Sequence, residues 1–269
     1  MIIDQSTIKG RWEVLWACIP FRSRALPIAF RLFRYDDIRQ DDEGTMHKIE
    51  HAFIRQVVQA LPKTLPSLFL FDRGYARVSL FELLEELGVH YVVRVPKGVW
   101  VQHGTKFAGI LSTIPVARGA QLWWSGISYQ KKKRYPVNLA ITLNATADEP
   151  WYLVTNLKRA SAAIRWYERR FRCEELFRDL KDQLHLETIR IQSRDRMVRL
   201  IFGMMILYYA LTLVGAVVQQ RAMRKKVCKD RASLVWLALR ALAMPWLLSH
   251  DVVIHALFTR RWSLAYETG

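Results

Sequence analysis

Apolar positions along the chain change texture twice. Through residue 95 they come as short runs interleaved with helical patterns. Ile2-Ile3 leads into Asp4, a short strand ending in a carboxylate. Residues 12–35 are rich in aliphatic and aromatic side chains and are broken at Arg22-Ser23-Arg24, which predicts two strands joined by a turn. An acidic, mobile connection is expected at 36–43. Over 47–61, Ile49, Phe53, Ile54, Val57 and Val58 recur at helical spacing until Pro62 stops them. Residues 67–71 form an almost continuous apolar run, read as a buried strand that ends at Asp72-Arg73-Gly74-Tyr75. A helix over 78–87, closed by Gly88, and a strand over 91–95 follow. This alternation predicts an α/β sheet with helices packed on it.

From 96 to 156 the pattern becomes β-rich. Five of the 12 glycines and four of the nine prolines lie between 96 and 150, and β-prone runs recur at 98–101, 121–129, 137–143 and 151–155, with Lys131-Lys132-Lys133-Arg134 at a hairpin tip. After Asn156 the pattern is helical: a charged amphipathic helix over 167–181, then 195–220, then 230–244 up to Pro245. The expected organisation is therefore 1–95 as the first part of the core, 96–156 as a β-rich insertion, 157–220 as the helical completion of the core and 221–269 as a C-terminal helical region. Leu200–Val218 is uncharged and long enough to span a bilayer, but both flanks are basic. It is read as a core helix, so no membrane partner is expected.

Charge narrows the partner. Lys plus Arg number 41 against 24 Asp plus Glu, a net +17 spread along the chain, with a pI near 10.1. A polyanion, nucleic acid first, is the expected ligand. Three cysteines (Cys18, Cys173 and Cys228) form no framework, and a reducing cytoplasm is expected. His47 and His51 are four apart on a helix, with no third ligand in view.

Chemistry concentrates at three carboxylates. Asp4 and Asp72 are placed at the carboxyl ends of strands, the edge of an α/β sheet where ligands gather. On the 167–181 helix, Tyr167, Arg170, Glu174 and Lys181 fall within about 60° of arc at roughly 100° per residue. Asp4, Asp72 and Glu174 would suit two Mg²⁺ ions about 4 Å apart, working on a phosphodiester by in-line displacement. The plainer alternatives are a turn former or helix cap for each aspartate, and a solvated, ion-paired face for the helix.

Asp4-Gln5-Ser6-Thr7, Phe71-Asp72-Arg73-Gly74-Tyr75 and Tyr167-x-x-Arg170-x-x-x-Glu174-x-x-x-x-x-x-Lys181 resemble the DDE transposases of bacterial insertion sequences, specifically the IS-four family with its Tyr–Arg–Glu–Lys signature. The resemblance runs from about Ile2 to Gly215. It implies a ribonuclease-H-like α/β catalytic core with a β-rich insertion and a helical C-terminal part. It also implies metal-dependent cleavage and strand transfer at transposon ends. Asp4, Asp72 and Glu174 become the catalytic, metal-binding residues for two Mg²⁺ ions, with Mn²⁺ as a substitute. Tyr167, Arg170 and Lys181 become phosphate contacts. Trp151 becomes a platform for a flipped base, where stacking is worth roughly 1–3 kcal/mol; a strand core residue is the alternative. Arg73, beside a metal carboxylate, is a further DNA contact. Implied partners are the inverted-repeat ends and target DNA, bound by a homodimer, in the bacterial cytoplasm and on the nucleoid.

The family carries a DNA-binding domain ahead of its first aspartate, whereas here Asp4 nearly opens the chain, so that domain is expected to be lacking. Two rival expectations follow: an inactive, truncated remnant that only binds DNA, and a ribonuclease-H-like nuclease.

Overall fold

A computed structural model describes residues 1–35, 46–224 and 233–243. The expected acidic connection at 36–43, the start of the last helix, Pro245 and Cys228 lie outside the described residues. The chain divides into two compact units, Met1–Pro20 with Pro27–Glu174, and Phe21–Leu26 with the chain from Glu175 onward.

The first unit is organised on a mixed sheet. Its strands are β1 (Ile2–Ile8), β2 (Trp12–Phe21), β3 (Arg24–Phe33), β4 (Leu68–Phe71), β5 (His90–Arg94), β6 (Trp100–His103), β7 (Phe107–Ile110), β8 (Gln121–Tyr129), β9 (Tyr135–Thr142) and β10 (Trp151–Thr155). They lie in the order β3-β2-β1-β4-β5-β10-β9-β8-β6-β7. β1 and β2 are antiparallel, while β1, β4 and β5 run parallel. The strands between 100 and 155 do not form a separate sheet: β10 pairs antiparallel with β5 and continues the same surface. The run at 107–110 alternates weakly, and β7 was not foreseen from the pattern. β8 is kinked between Trp124 and Ile127, where Gly126 takes a φ of +63° that disfavours any side chain.

Helices cover both faces. Helix α1 (Met46–Ala60) and helix α2 (Val78–Glu86) bury Phe53, Ile54, Val57, Leu80, Phe81 and Leu84 against Phe69, Phe71, Tyr91, Val93, Leu139 and Ile141. The side chains between these on the strands, such as Leu70, Val92, Ala140 and Leu153, are equally buried and by alternation point to the opposite face. There helix α3 (Ala160–Glu168) packs along β5, β8, β9 and β10. Continuous burial on both faces explains why β4 and β5 read as unbroken apolar runs. Gly88, at φ +65°, ends α2 as expected.

The 167–181 stretch is not one regular helix. α3 ends at Glu168, a 3-10 turn spans Arg169–Phe171, α4 runs over Arg172–Arg178, and a π-helical turn takes Asp179–Gln183. Overwinding followed by underwinding breaks the uniform helical face expected from spacing. Tyr167 and Arg170 are buried, Glu174 is exposed and Lys181 is half-buried.

In the second unit, helix α5 (Arg194–Arg224) packs on helix α6 (Leu234–Ala243). A Cβ at Gly215 would collide with the Leu234 backbone carbonyl, so glycine permits this close approach. α5 contains a window long and apolar enough to cross a bilayer, and half of that window is buried inside the fold. Arg24, buried, donates from Nε to Asp179 Oδ2 at 2.8 Å and pairs with Glu175 at 3.2 Å. Ser233 donates to Asp179 Oδ1 at 2.8 Å, and the Tyr208 hydroxyl lies 3.5 Å from Asp179 Oδ2. This network ties the start of β3, the π-helical turn, α5 and the residue before α6.

Candidate active site

β1 and β4 are neighbours running the same way, with Ile2 opposite Leu70. Asp4 stands two residues past Ile2 on β1, and Asp72 stands two residues past Leu70, just beyond the end of β4, close enough for its charge to be felt at Asp4. Asp4 is not the end of a three-residue strand, as the sequence suggested. It is the third residue of a seven-residue strand whose ladder with β2 continues to Ile8 opposite Trp12. The polar residues after it, beyond the end of the apolar run, are cross-strand partners. Thr7 donates to both oxygens of buried Glu13 at 2.9 Å, Gln5 donates to Glu13 at 2.7 Å, and Trp16 Nε1 donates to Ser6 at 3.0 Å. Asp4 is therefore held from both sides of the chain.

Asp72 follows β4 directly. Its Oδ1 accepts from the Gly74 amide at 2.6 Å and caps the 3-10 turn Arg73–Tyr75. The turn-forming role weighed from sequence is real here and uses one oxygen. A Cβ at Gly74 would lie 3.0 Å from that oxygen, so glycine leaves the carboxylate uncrowded. Among the described residues Asp72 has no ion-pair partner.

Arg170 joins the other two carboxylates. Its Nη1 donates to Asp4 Oδ2 at 2.8 Å and its Nη2 to Glu174 Oε1 at 2.7 Å. The Arg170 residue is only 6% exposed, and its guanidinium packs over Phe171 and Tyr167 at 4.9 and 5.8 Å. Burial pushes the Asp4 carboxyl up to about 6; Arg170 and the Gln5 amide pull it down, and Asp72 and Glu174 push it further up. For Arg170, burial favours the neutral form, but Tyr167, Asp4, Glu174 and Asp72 outweigh it and hold the guanidinium charged.

Trp151, partly exposed, stacks on Phe171 at 5.4 Å and meets Tyr167 edge-on at 5.2 Å. One face of the indole is thus already covered. Arg73 reaches Glu149 at 3.7 Å, where Arg94 (3.2 Å) and Lys97 (3.6 Å) also converge. Lys181 belongs to the second unit and pairs with Glu187 at 3.2 Å. The first unit therefore gathers Asp4, Asp72, Glu174, Arg170, Tyr167, Trp151 and Arg73.

Sequence reasoning passed over Tyr75. Its buried hydroxyl makes no hydrogen bond, and its acidity is suppressed by burial first and then by Asp4 and Asp72. The Phe-Asp-Arg-Gly-Tyr run was its only signal. Also missed was the contact of Cys18 with Cys173 at 3.7 Å, both buried, which no spacing in the chain announces. Burial and the neighbouring thiol push Cys173 well above its ordinary range, so this pair is an inert piece of core.

Carboxylate oxygens suit a hard divalent cation. Yet among the described residues no three His, Cys, Asp or Glu side chains are gathered closely enough to hold one as they stand. The guanidinium of Arg170 holds the place between Asp4 and Glu174.

Strand order β3-β2-β1-β4-β5, with β1, β4 and β5 parallel and helices on both faces, is that of a ribonuclease-H-like α/β core. The sequence model of the Transposase DDE domain family matches residues 42–210, more than half of the chain. The chain belongs to this family, whose members act on DNA and generally depend on a divalent metal. The matched segment includes Asp72 and Glu174, while Asp4 precedes it. No curated protein sequence matches the chain.

Proposed function

We propose that this chain is the catalytic core of a cut-and-paste DNA transposase of the IS-four type. It cleaves the strands at its transposon ends and joins the freed 3′-hydroxyls to target DNA. The observation that carries the reading is the placement of Asp4 on β1 and of Asp72 just past the end of its parallel neighbour β4, with Glu174 linked to Asp4 through one buried arginine.

Asp4, Asp72 and Glu174 would hold Mg²⁺, or Mn²⁺ in its place. When bound, the metal supplies an activated oxygen nucleophile and charge neutralisation at phosphorus. The rest is positioning by the chain itself. Arg170 presents a planar fork suited to two phosphate oxygens, and Tyr167 adds a hydroxyl beside it. Trp151 offers an aromatic edge to an extruded base, and Arg73 a cation next to Asp72. Lys181 is a further phosphate contact. The net charge of +17 supports a DNA partner through salt-dependent backbone contacts. Residues 96–156 serve as the insertion, and the protein acts as a homodimer on DNA in the cytoplasm.

Excision from a plasmid tests this. A marker is flanked by the DNA segments from the two borders of the gene. The expected result is loss of the marker with wild-type protein and none with Asp72→Asn. Retained DNA binding without excision by the wild type would support a DNA-binding remnant instead.

A further inference from the structure

Asp4 has both oxygens engaged. Oδ1 accepts from the Gln5 amide at 2.9 Å and Oδ2 from Arg170 at 2.8 Å. Glu174 gives one oxygen to the same guanidinium at 2.7 Å. Asp72 has no ion-pair partner among the described residues, so the trio retains an attraction for positive charge. Arg170 is not a loose surface side chain: it is buried and set against the rings of Tyr167 and Phe171. Its Nη1 and Nη2 are the fork atoms given to the two carboxylates, and the same two donors are the ones a phosphate would compete for.

A guanidinium and a divalent cation cannot share the Asp4–Glu174 gap. Both want the same oxygens, and repulsion between them is strong where water is scarce. A DNA phosphate provides alternative acceptors for the fork. We propose that Arg170 is a counter-ion exchanged between metal and DNA. In DNA-free protein it holds Asp4 and Glu174 together and suppresses metal binding. A bound phosphate draws it away and opens the gap, so metal and DNA each strengthen the binding of the other. This inference rests on Asp4, Asp72 and Glu174 being the metal trio. It gives the site a guard against cutting in the absence of bound DNA ends. By linkage, whatever factor DNA adds to metal affinity, metal adds to DNA affinity.

Mn²⁺ titrations followed by electron paramagnetic resonance, on the whole chain with and without a short blunt duplex, test the exchange. In wild type the duplex should raise Mn²⁺ affinity by roughly tenfold or more. Arg170→Gln should bind Mn²⁺ about tenfold more tightly than wild type without DNA, and the duplex should then add less than about twofold. Arg170→Lys keeps the charge but loses the planar fork that spans both carboxylates, so it should fall between them. It also carries the comparison if thermal melting shows that the glutamine variant does not fold. Equal DNA-free affinities in wild type and Arg170→Gln, or equal effects of duplex on both, overturn the exchange. So does an Arg170→Lys that behaves as wild type, because charge alone would then account for it. Mn²⁺ binding that ignores Asp72→Ala would remove the metal trio itself, and the exchange with it. Binding lost in Asp72→Ala but indifferent to Arg170 variants overturns the exchange alone.

Discussion

Two arginine-centred triads use consecutive glutamates. Arg170 bridges Asp4 and Glu174; Arg24 bridges Asp179 and Glu175. Each pairs a buried arginine with one buried and one more exposed carboxylate, yet they are finished differently. Asp179 takes donors on both oxygens, from Arg24 and from Ser233, with the Tyr208 hydroxyl close by. Near Arg170, the hydroxyl of Tyr75 is buried without a formed hydrogen bond, and its acidity is suppressed by Asp4 and Asp72 after burial. Unsatisfied buried donors are costly, and native structures keep few of them without a reason. A completed network holds a fold together. The Arg170 network is less complete and lies beside Asp72, which has no ion-pair partner among the described residues.

The adjacent glutamates offer the sharpest way to break this contrast. Glu174→Ala should reduce metal-dependent DNA cleavage by about 10³-fold and leave the thermal melt almost unchanged. Glu175→Ala should leave cleavage within a few-fold, because Asp179 still holds Arg24. Comparable losses from both, in a single-turnover cleavage assay, would erase the distinction.

Asp179→Ala should destabilise the protein by about 3 kcal/mol in urea unfolding, since buried Arg24 loses its buried partner and keeps only the more exposed Glu175. A loss of a few tenths would make the closed triad ornamental.

Acid titration separates the two sites next. The Asp4 carboxyl is raised to about 6 from an ordinary 3.8, chiefly by burial. The folded state therefore binds this proton more tightly than the unfolded chain does. The associated stability is full below pH 3.8 and is lost as the pH rises through about 6. Subtracting the urea-derived stability of Asp4→Asn from that of metal-free wild type should reveal this loss, at most about 3 kcal/mol. A flat difference curve would show that Arg170 fully offsets the burial.

Glu149 sits between these extremes, one half-exposed carboxylate among Arg73, Arg94 and Lys97. Glu149→Gln should tighten duplex binding a few-fold and steepen its salt dependence by about one unit of slope. Unchanged binding would place these cations away from DNA.

Much of the fold was legible because burial on both faces leaves unbroken apolar runs, as at Phe69–Phe71 and Tyr91–Val93, and because Pro62 and Gly88 punctuate the helices. The strand carrying Asp4 was shortened in the reading because Gln5, Ser6 and Thr7 lie beyond the end of the apolar run. They are polar because they face Glu13 and Trp16 across a ladder that no local pattern reveals. The signature spacing located Arg170 and Glu174, but it could not announce the 3-10 and π turns that break the helix around them. Asp179 was hidden for a similar reason. An acid among Leu176, Phe177 and Leu180 reads as a solvated position, and its partner Arg24 is far away in the chain.

The central claim is that Asp4, Asp72 and Glu174 hold a metal that cuts DNA. It is tested most directly by titrating Mg²⁺ into a single-turnover cleavage assay on a duplex taken from a border of the gene, with wild type, Asp72→Ala and Asp179→Asn. The account predicts saturable, Mg²⁺-dependent cleavage by wild type, none with Asp72→Ala, and cleavage with an unchanged Mg²⁺ midpoint by folded Asp179→Asn. Cleavage that persists in Asp72→Ala, or a Mg²⁺ midpoint that moves only with Asp179, would contradict it.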